Sequence, residues 1–223
     1  MKMTAYPDKY ALTPEQSIFL AKKHWDENVY CGMKMEARAV TFPQTRTILN
    51  GVNVPGVALD DIQAILNMRD AWRFLISTIS EPLSLDYICR LNEYIARNEA
   101  LVWGKLRTGQ VGISGADYLP PVPMREETEA ALDEILSRNT STTEKALDVF
   151  AWCARSQLFW DGNKRTGLTA ANKLMLSGGA GMLTITDRNM ERFNELLLDF
   201  YNRGESGPLK SFMYENTVIG MVV

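Results

Sequence analysis

Histidine is almost absent from this chain of 223 residues, with His24 the single example. That scarcity excludes a histidine-built metal centre and leaves one ordinary imidazole for any base catalysis. Cysteine is nearly as sparse. Cys31, Cys89 and Cys153 are odd in number, widely spaced and without metal-ligand spacing. They read as reduced thiols of a cytoplasmic protein, not as a disulfide framework. No apolar run reaches the ~20 residues needed to cross a bilayer. The N-terminal stretch has no signal-peptide apolar region, so no membrane association is expected. A net charge of −3 and a pI of about 5.4 leave no basic footprint for nucleic acid. Repeats and low-complexity segments are also missing. What remains is ordinary globular material, 46% apolar and 23% charged, long enough to bury a core.

Helical signals dominate the chain. Thr13-Pro-Glu-Gln16 supplies an N-cap, a first-turn proline and a capping-box glutamine. That helix is expected to run towards Trp25, with His24 on it in a structural or exposed role. A second helical stretch holds Cys31 to Ala37, and Thr41-Phe-Pro43 starts another that ends at Asn50-Gly51. Residues 1–57 are thus read as an N-terminal helical segment, and 58–223 as the main domain. After a loop at 52–57, the stripe Ile62, Ile65, Leu66, Ala71, Phe74, Leu75 and Ile79 predicts a long amphipathic helix. Pro82 ends it and Ser84 caps the next, through Ile95. Gly104, Gly109, Gly112 and Gly115 then punctuate a stretch in which Val111 and Ile113 alternate with small residues. This predicts a β-hairpin or extended flap over 103–118 with a proline-rich exit. Helices are expected at 124–138 and 142–157, then from Asn163 to a stop at Gly178-Gly179. A short strand at 182–185, a helix from Asp187 and a last helix at 208–215 complete the reading.

The stretch Gln157-Leu-Phe-Trp-Asp-Gly-Asn-Lys-Arg-Thr-Gly-Leu168 organises the rest. A tight Asp161-Gly162-Asn163 turn feeds a helix start that carries Lys164 and Arg165. Cations in a first helical turn oppose the macrodipole by roughly 0.3–1 kcal/mol each. An anion held by the free N–H groups of that turn would offset the cost. A solvated cap, with Asp161 or Asn163 as N-cap and two exposed cations, is the alternative.

This loop resembles the active-site loop of the Fic/Doc (Fido) family, whose pattern runs His-Pro-Phe-x-Asp/Glu-Gly-Asn-Gly/Lys-Arg. The resemblance implies an all-α domain with a β-hairpin flap and an inhibitory-type N-terminal helix. Carried over, it makes Phe159 an apolar anchor and Asp161 the Mg²⁺ ligand. Gly162, Asn163, Lys164 and Arg165 become the site for the phosphates of ATP or another nucleotide. Lys164, and Leu168 where a second Arg is common, are similar to the Doc branch. The Cys31-Gly-Met-Lys-Met-Glu-Ala37 stretch is similar to the family's inhibitory helix, with Glu36 on the inhibitory glutamate. Since the usual partner Arg is Leu168, Glu36 is expected to face Lys164 or Arg165, or else solvent. The flap, with Lys105, Leu106, Arg107, Val111 and Ile113, would clamp a protein target by strand addition.

Gln157 stands where that family places its catalytic histidine. A carboxamide has no site that titrates near neutral pH, and base catalysis typically contributes 10²–10⁴-fold. Asp148 or Asp161 could substitute. Three readings follow: a transferase moving AMP or phosphate to a protein hydroxyl, a nucleotide sensor that binds without transfer, and a partner-binding scaffold with a vestigial pocket. Gln157 favours binding with impaired or altered transfer.

Overall fold

The structure, a computed structural model, describes residues 5–221. Its helices are α1 (Pro14–Met35), α2 (Phe42–Leu49), α3 (Leu59–Ser77), α4 (Leu85–Ile95) and α5 (Arg125–Ser137), followed by α6 (Thr142–Ser156), α7 (Asn163–Ser177), α8 (Asp187–Arg203) and α9 (Gly207–Thr217). Two short strands, β1 (Met182–Leu183) and β2 (Val218–Ile219), pair antiparallel, Met182 opposite Ile219. The chain is therefore an all-α protein with a minimal sheet.

Local capping chemistry sets most helix starts. The Thr13 and Thr41 side chains accept from the N3 amides, and Gln16 and Gln44 reciprocate to the cap amides. Ser84 and Ser141 cap α4 and α6 in the simpler one-way form.

Helix α7 is the wall between two halves of the core. Ala170 and Leu176 join a cluster built by α1, α3 and α4, including Met33, Ile65, Trp72 and Leu91. Leu168, Ala171 and Met175 face the other cluster, with Phe150 of α6, Phe193 of α8 and Met213 of α9. Small residues let α7 sit this deep. A Cβ on Gly167 would lie 2.9 Å from the Cys153 Cβ, so the α6–α7 crossing depends on glycine there. Helices α1 and α2 bury Leu20, Val29 and Ile48 in the same cluster as α3 and α4.

Two expectations change. Helix α1 is unbroken where the sequence suggests separate stretches up to Trp25 and from Cys31. Asn28 is buried there and donates to Thr184 Oγ1 at 3.0 Å and to His24 O at 3.2 Å. Tertiary burial thus overrides a weak local propensity. The flap at 103–118 is extended but not a hairpin: no strand pairing occurs in it among the described residues. The Arg107 guanidinium instead takes the carbonyls of Gly109 (2.6 Å), Pro120 (3.2 Å) and Pro121 (2.6 Å). Those bonds, with the Arg107 amide on Leu158 O, anchor the stretch to its exit and to the loop in place of a strand partner.

Cys31 and Cys153 are buried and Cys89 is half-buried. Burial pushes Cys31 up to about 12 and Cys89 up to about 11, and raises Cys153 further.

Candidate functional site

The 157–168 loop is held by its own amides. Gln157 closes α6 in the left-handed region, at φ 46° and ψ 59°. Its Nε2 donates to Ala154 O at 2.7 Å, and its Oε1 accepts from Asn163 Nδ2 at 3.1 Å. Asn163 then clasps Phe159 from both sides, accepting from its N–H and donating to its carbonyl, each at 2.9 Å. Phe159 itself is buried in the core. Gly162, at φ 74°, is the N-cap of α7 and needs glycine twice over: an added Cβ would also come within 3.1 Å of Ile95. Its N–H donates to Asp161 Oδ1 at 2.5 Å. The cap position expected of Asp161 or Asn163 thus falls to Gly162. No side-chain cap bond closes the start of α7.

Carboxylates gather around the two cations. Arg165 is 1% exposed, and its Nη1 lies 3.1 and 3.2 Å from the two oxygens of Glu99. Its Nε is 3.6 Å from Glu36 Oε1, and its Nη2 is 3.7 Å from Asp161 Oδ1. Lys164 Nζ donates to Met35 O at 2.6 Å and sits 3.3 Å from Glu36 Oε2. Glu36 is the C-cap of α1, so the end of that long helix delivers a carboxylate to the start of α7. Glu99 also accepts from Arg38 Nη2 at 2.5 Å and Asn67 Nδ2 at 3.0 Å. Arg165, expected from sequence among the phosphate-binding residues, thus sits in a buried ion-pair network in this structure.

A cleft of about 530 Å³ opens over this turn. Gln157, Asp161, Gly162, Asn163 and Lys164 line it on the loop side, and Glu36 and Ile113 on the others. Arg165 is not among its lining residues, nor are Lys105, Leu106, Arg107 and Val111. Lys105 is exposed, Leu106 and Val111 are half-buried, and Leu106 packs on the core. Arg107 is buried and donates to Gln157 O at 2.5 Å, while its N–H donates to Leu158 O at 3.0 Å. Burial pulls its guanidinium below its ordinary value. It fastens flap to loop. Leu168 is core, so no second cation faces Glu36 from that position.

Neither alternative base is a simple replacement for Gln157. Asp148 lies outside the cleft, its oxygens taken by Arg138 at 2.9 Å and Lys210 at 2.6 Å. His24 contacts Glu27 on α1 and does not line the cleft either. Asp161 does line it, but its Oδ1 is turned onto the Gly162 amide.

Three participants were not legible in the sequence. Glu99 reaches Arg165 because Asn98, at φ 61°, folds the chain back after α4. Asn92 is fully buried and joins loop to flap, donating to Asp161 O at 3.0 Å and accepting from the Gly104 amide at 3.0 Å. Tyr201 of α8 lines the cleft, 5% exposed, with its hydroxyl buried and unbonded. Burial, then the Glu36 charge, raises its pKa, so it is a neutral donor. The periodicity of α8 marks Tyr201 as core, which hides that role.

Residues 82–175 match the model of the Fic/DOC family. Among solved structures the fold is similar to Fic-1 from C. elegans, with a TM-score of 0.72 and 20% identity, covering 91% of this chain and 68% of that one. A Fic family protein from Desulfovibrio desulfuricans G20 gives a TM-score of 0.73 and 18% identity, covering 87% and 62%. The chain thus spans less than two thirds of that protein. The BepC protein, a VirB-translocated Bartonella effector from Bartonella tribocorum with bound AMPPNP, gives 0.53 and 16%, covering 70% and 86%. At these identities the likeness is one of fold. No curated protein matches the sequence.

Proposed function

We propose, from the match of residues 82–175 to the Fic/DOC family model, that the protein binds a nucleotide in the 530 Å³ cleft while transferring AMP or phosphate to a protein hydroxyl poorly or not at all. The observation that carries this reading is the uncapped N-terminus of α7 opening into a cleft whose cationic start is covered by Glu36. A volume of that order suits a small organic ligand, and the BepC structure with bound AMPPNP supports the nucleotide class. Phosphates would meet the α7 amides, Lys164 and the Tyr201 hydroxyl. Arg165 supports the turn from beneath.

The donor set fits Mg²⁺ only as an ion that arrives with the nucleotide. Among the described residues no group of three or more His, Cys, Asp or Glu could hold a metal. Mg²⁺ is commonly held by one or two carboxylates plus substrate phosphates and water. Asp161, half exposed at the cleft, could supply one such carboxylate. When bound, the ion would offset developing charge on the phosphates. Gln157 can hold or orient a hydroxyl but cannot remove its proton. A protein target would meet the outer flap at Lys105, Val111 and Ile113.

Calorimetric titration with ATP, with and without Mg²⁺, tests the reading. Glu36→Gln is expected to tighten binding about 3- to 10-fold, the scale of a partly exposed ion pair. Equal affinities would leave Glu36 as a helix cap alone. If wild type and Glu36→Gln both ignore millimolar ATP, the pocket is closed and the scaffold reading takes over. The Glu99 pairing, which occupies Arg165, favours that second reading.

Tyr201→Phe separates binding from stability. Removing an unbonded buried hydroxyl is expected to leave Tm unchanged or raised, while weakening ATP binding roughly 2- to 10-fold. Unchanged affinity would make Tyr201 a core residue only.

A further inference from the structure

A second cleft, of about 330 Å³, shares no lining residue with the first. It lies where the exit of the flap, the C-terminal part of α6 and the α8–α9 junction meet. Arg155 is at its centre. The guanidinium is 3.7 Å from the centroid of the Tyr118 ring and 5.9 Å from that of Phe200. Its Nε is buried without a hydrogen-bond partner. Among the described residues no carboxylate pairs with it. The nearby Asp148 is unavailable, because Arg138 and Lys210 hold its two oxygens. Arg138 is itself shared with Glu134 at 2.8 Å, so Arg138 and Lys210 balance Asp148 and Glu134, and Arg155 is the lining cation left without a carboxylate. Ser206, also in the lining, is the N-cap of α9, which has no side-chain cap bond.

A guanidinium held against an aromatic face has lost rotamer freedom in advance, and its planar fork suits two oxygens. Leaving the buried Nε–H unmet costs free energy. We propose that this cleft is an oxyanion-binding site in which Arg155 takes a carboxylate or phosphate group, supported by the start of α9. The walls of Tyr118, Trp152 and Phe200 suit an apolar body attached to the anion. Since Tyr118 belongs to the flap exit, an occupant would also fasten the flap to α6.

The test is side-chain NMR on arginine- and tryptophan-labelled protein at constant ionic strength. Arg155→Lys identifies the Arg155 Nε–H resonance by its loss. Inorganic phosphate and acetate are titrated in separate arms, and the arm that responds identifies the oxyanion. The expected result is a saturable shift of the Arg155 Nε–H and the Trp152 indole N–H. The Trp152 response should weaken by about tenfold or more in Arg155→Gln, the loss of charge-assisted hydrogen bonds. It should persist in Lys164→Ala, which alters only the other cleft. Absence of a saturable shift with both anions overturns the site and leaves Arg155 as a clamp on Tyr118. So does a shift that vanishes in Lys164→Ala, or one that Arg155→Gln leaves untouched. Should Arg155→Gln fail to fold, the wild-type and Lys164→Ala titrations still decide.

Discussion

Gln157→His is expected to raise transfer of label from ATP to protein by roughly 10²–10⁴-fold over a quiet wild type, measured in a Glu36→Gln background. Histidine is among the residues that tolerate the left-handed conformation Gln157 adopts. A neutral imidazole keeps one donor and one acceptor, so contact with either Ala154 O or Asn163 Nδ2 survives. What it adds is a nitrogen that titrates near neutrality. The background matters because Glu36 sits against Lys164, where phosphates would arrive. A gain near zero would indicate a triphosphate out of line, since displacement by about 1 Å can cost 10²-fold. Separate labels distinguish the chemistry: retention from the α position signals nucleotidyl transfer, retention only from γ signals phosphoryl transfer. A wild type already as active as Gln157→His would overturn the impaired-transfer reading and turn attention to Asp161.

Glu99→Ala is expected to cost about 3–5 kcal/mol of stability, because it strips a carboxylate from buried cations. Arg165 is 1% exposed and Glu99 7%, with one carboxylate serving both Arg165 and Arg38. Removing it leaves Arg38 with Asp61 at 2.9 Å, and Arg165 with Ile95 O at 3.5 Å and the longer carboxylate contacts to Glu36 and Asp161. Asn67 loses an acceptor as well. For a chain of this size the Tm should fall by roughly 10 °C, read by calorimetry. A loss below about 1 kcal/mol would put the network in the class of solvated surface pairs. The loss is expected without nucleotide present, which separates it from any effect on binding.

The caps at Thr13, Thr41, Ser84 and Ser141 and the glycine stop after α7 involve partners within four residues. Their hydrogen bonds form whatever the rest of the chain does, so the helical framework was legible. The lack of a histidine at position 157 was equally legible, since a carboxamide has no usable basicity in any fold. The partner of Arg165 was not: Glu99 lies 66 residues away and reaches it only through the Asn98 turn. Arg107 carried the sequence signature of a flap residue, yet its donors go inward to four carbonyls. A charge at a helix start reads the same from sequence whether solvent, ligand or a distant carboxylate answers it. Only the packing of α1 and the α4 exit against α7 decided which, because ion pairing depends on distance and burial, and neither is a property of local sequence.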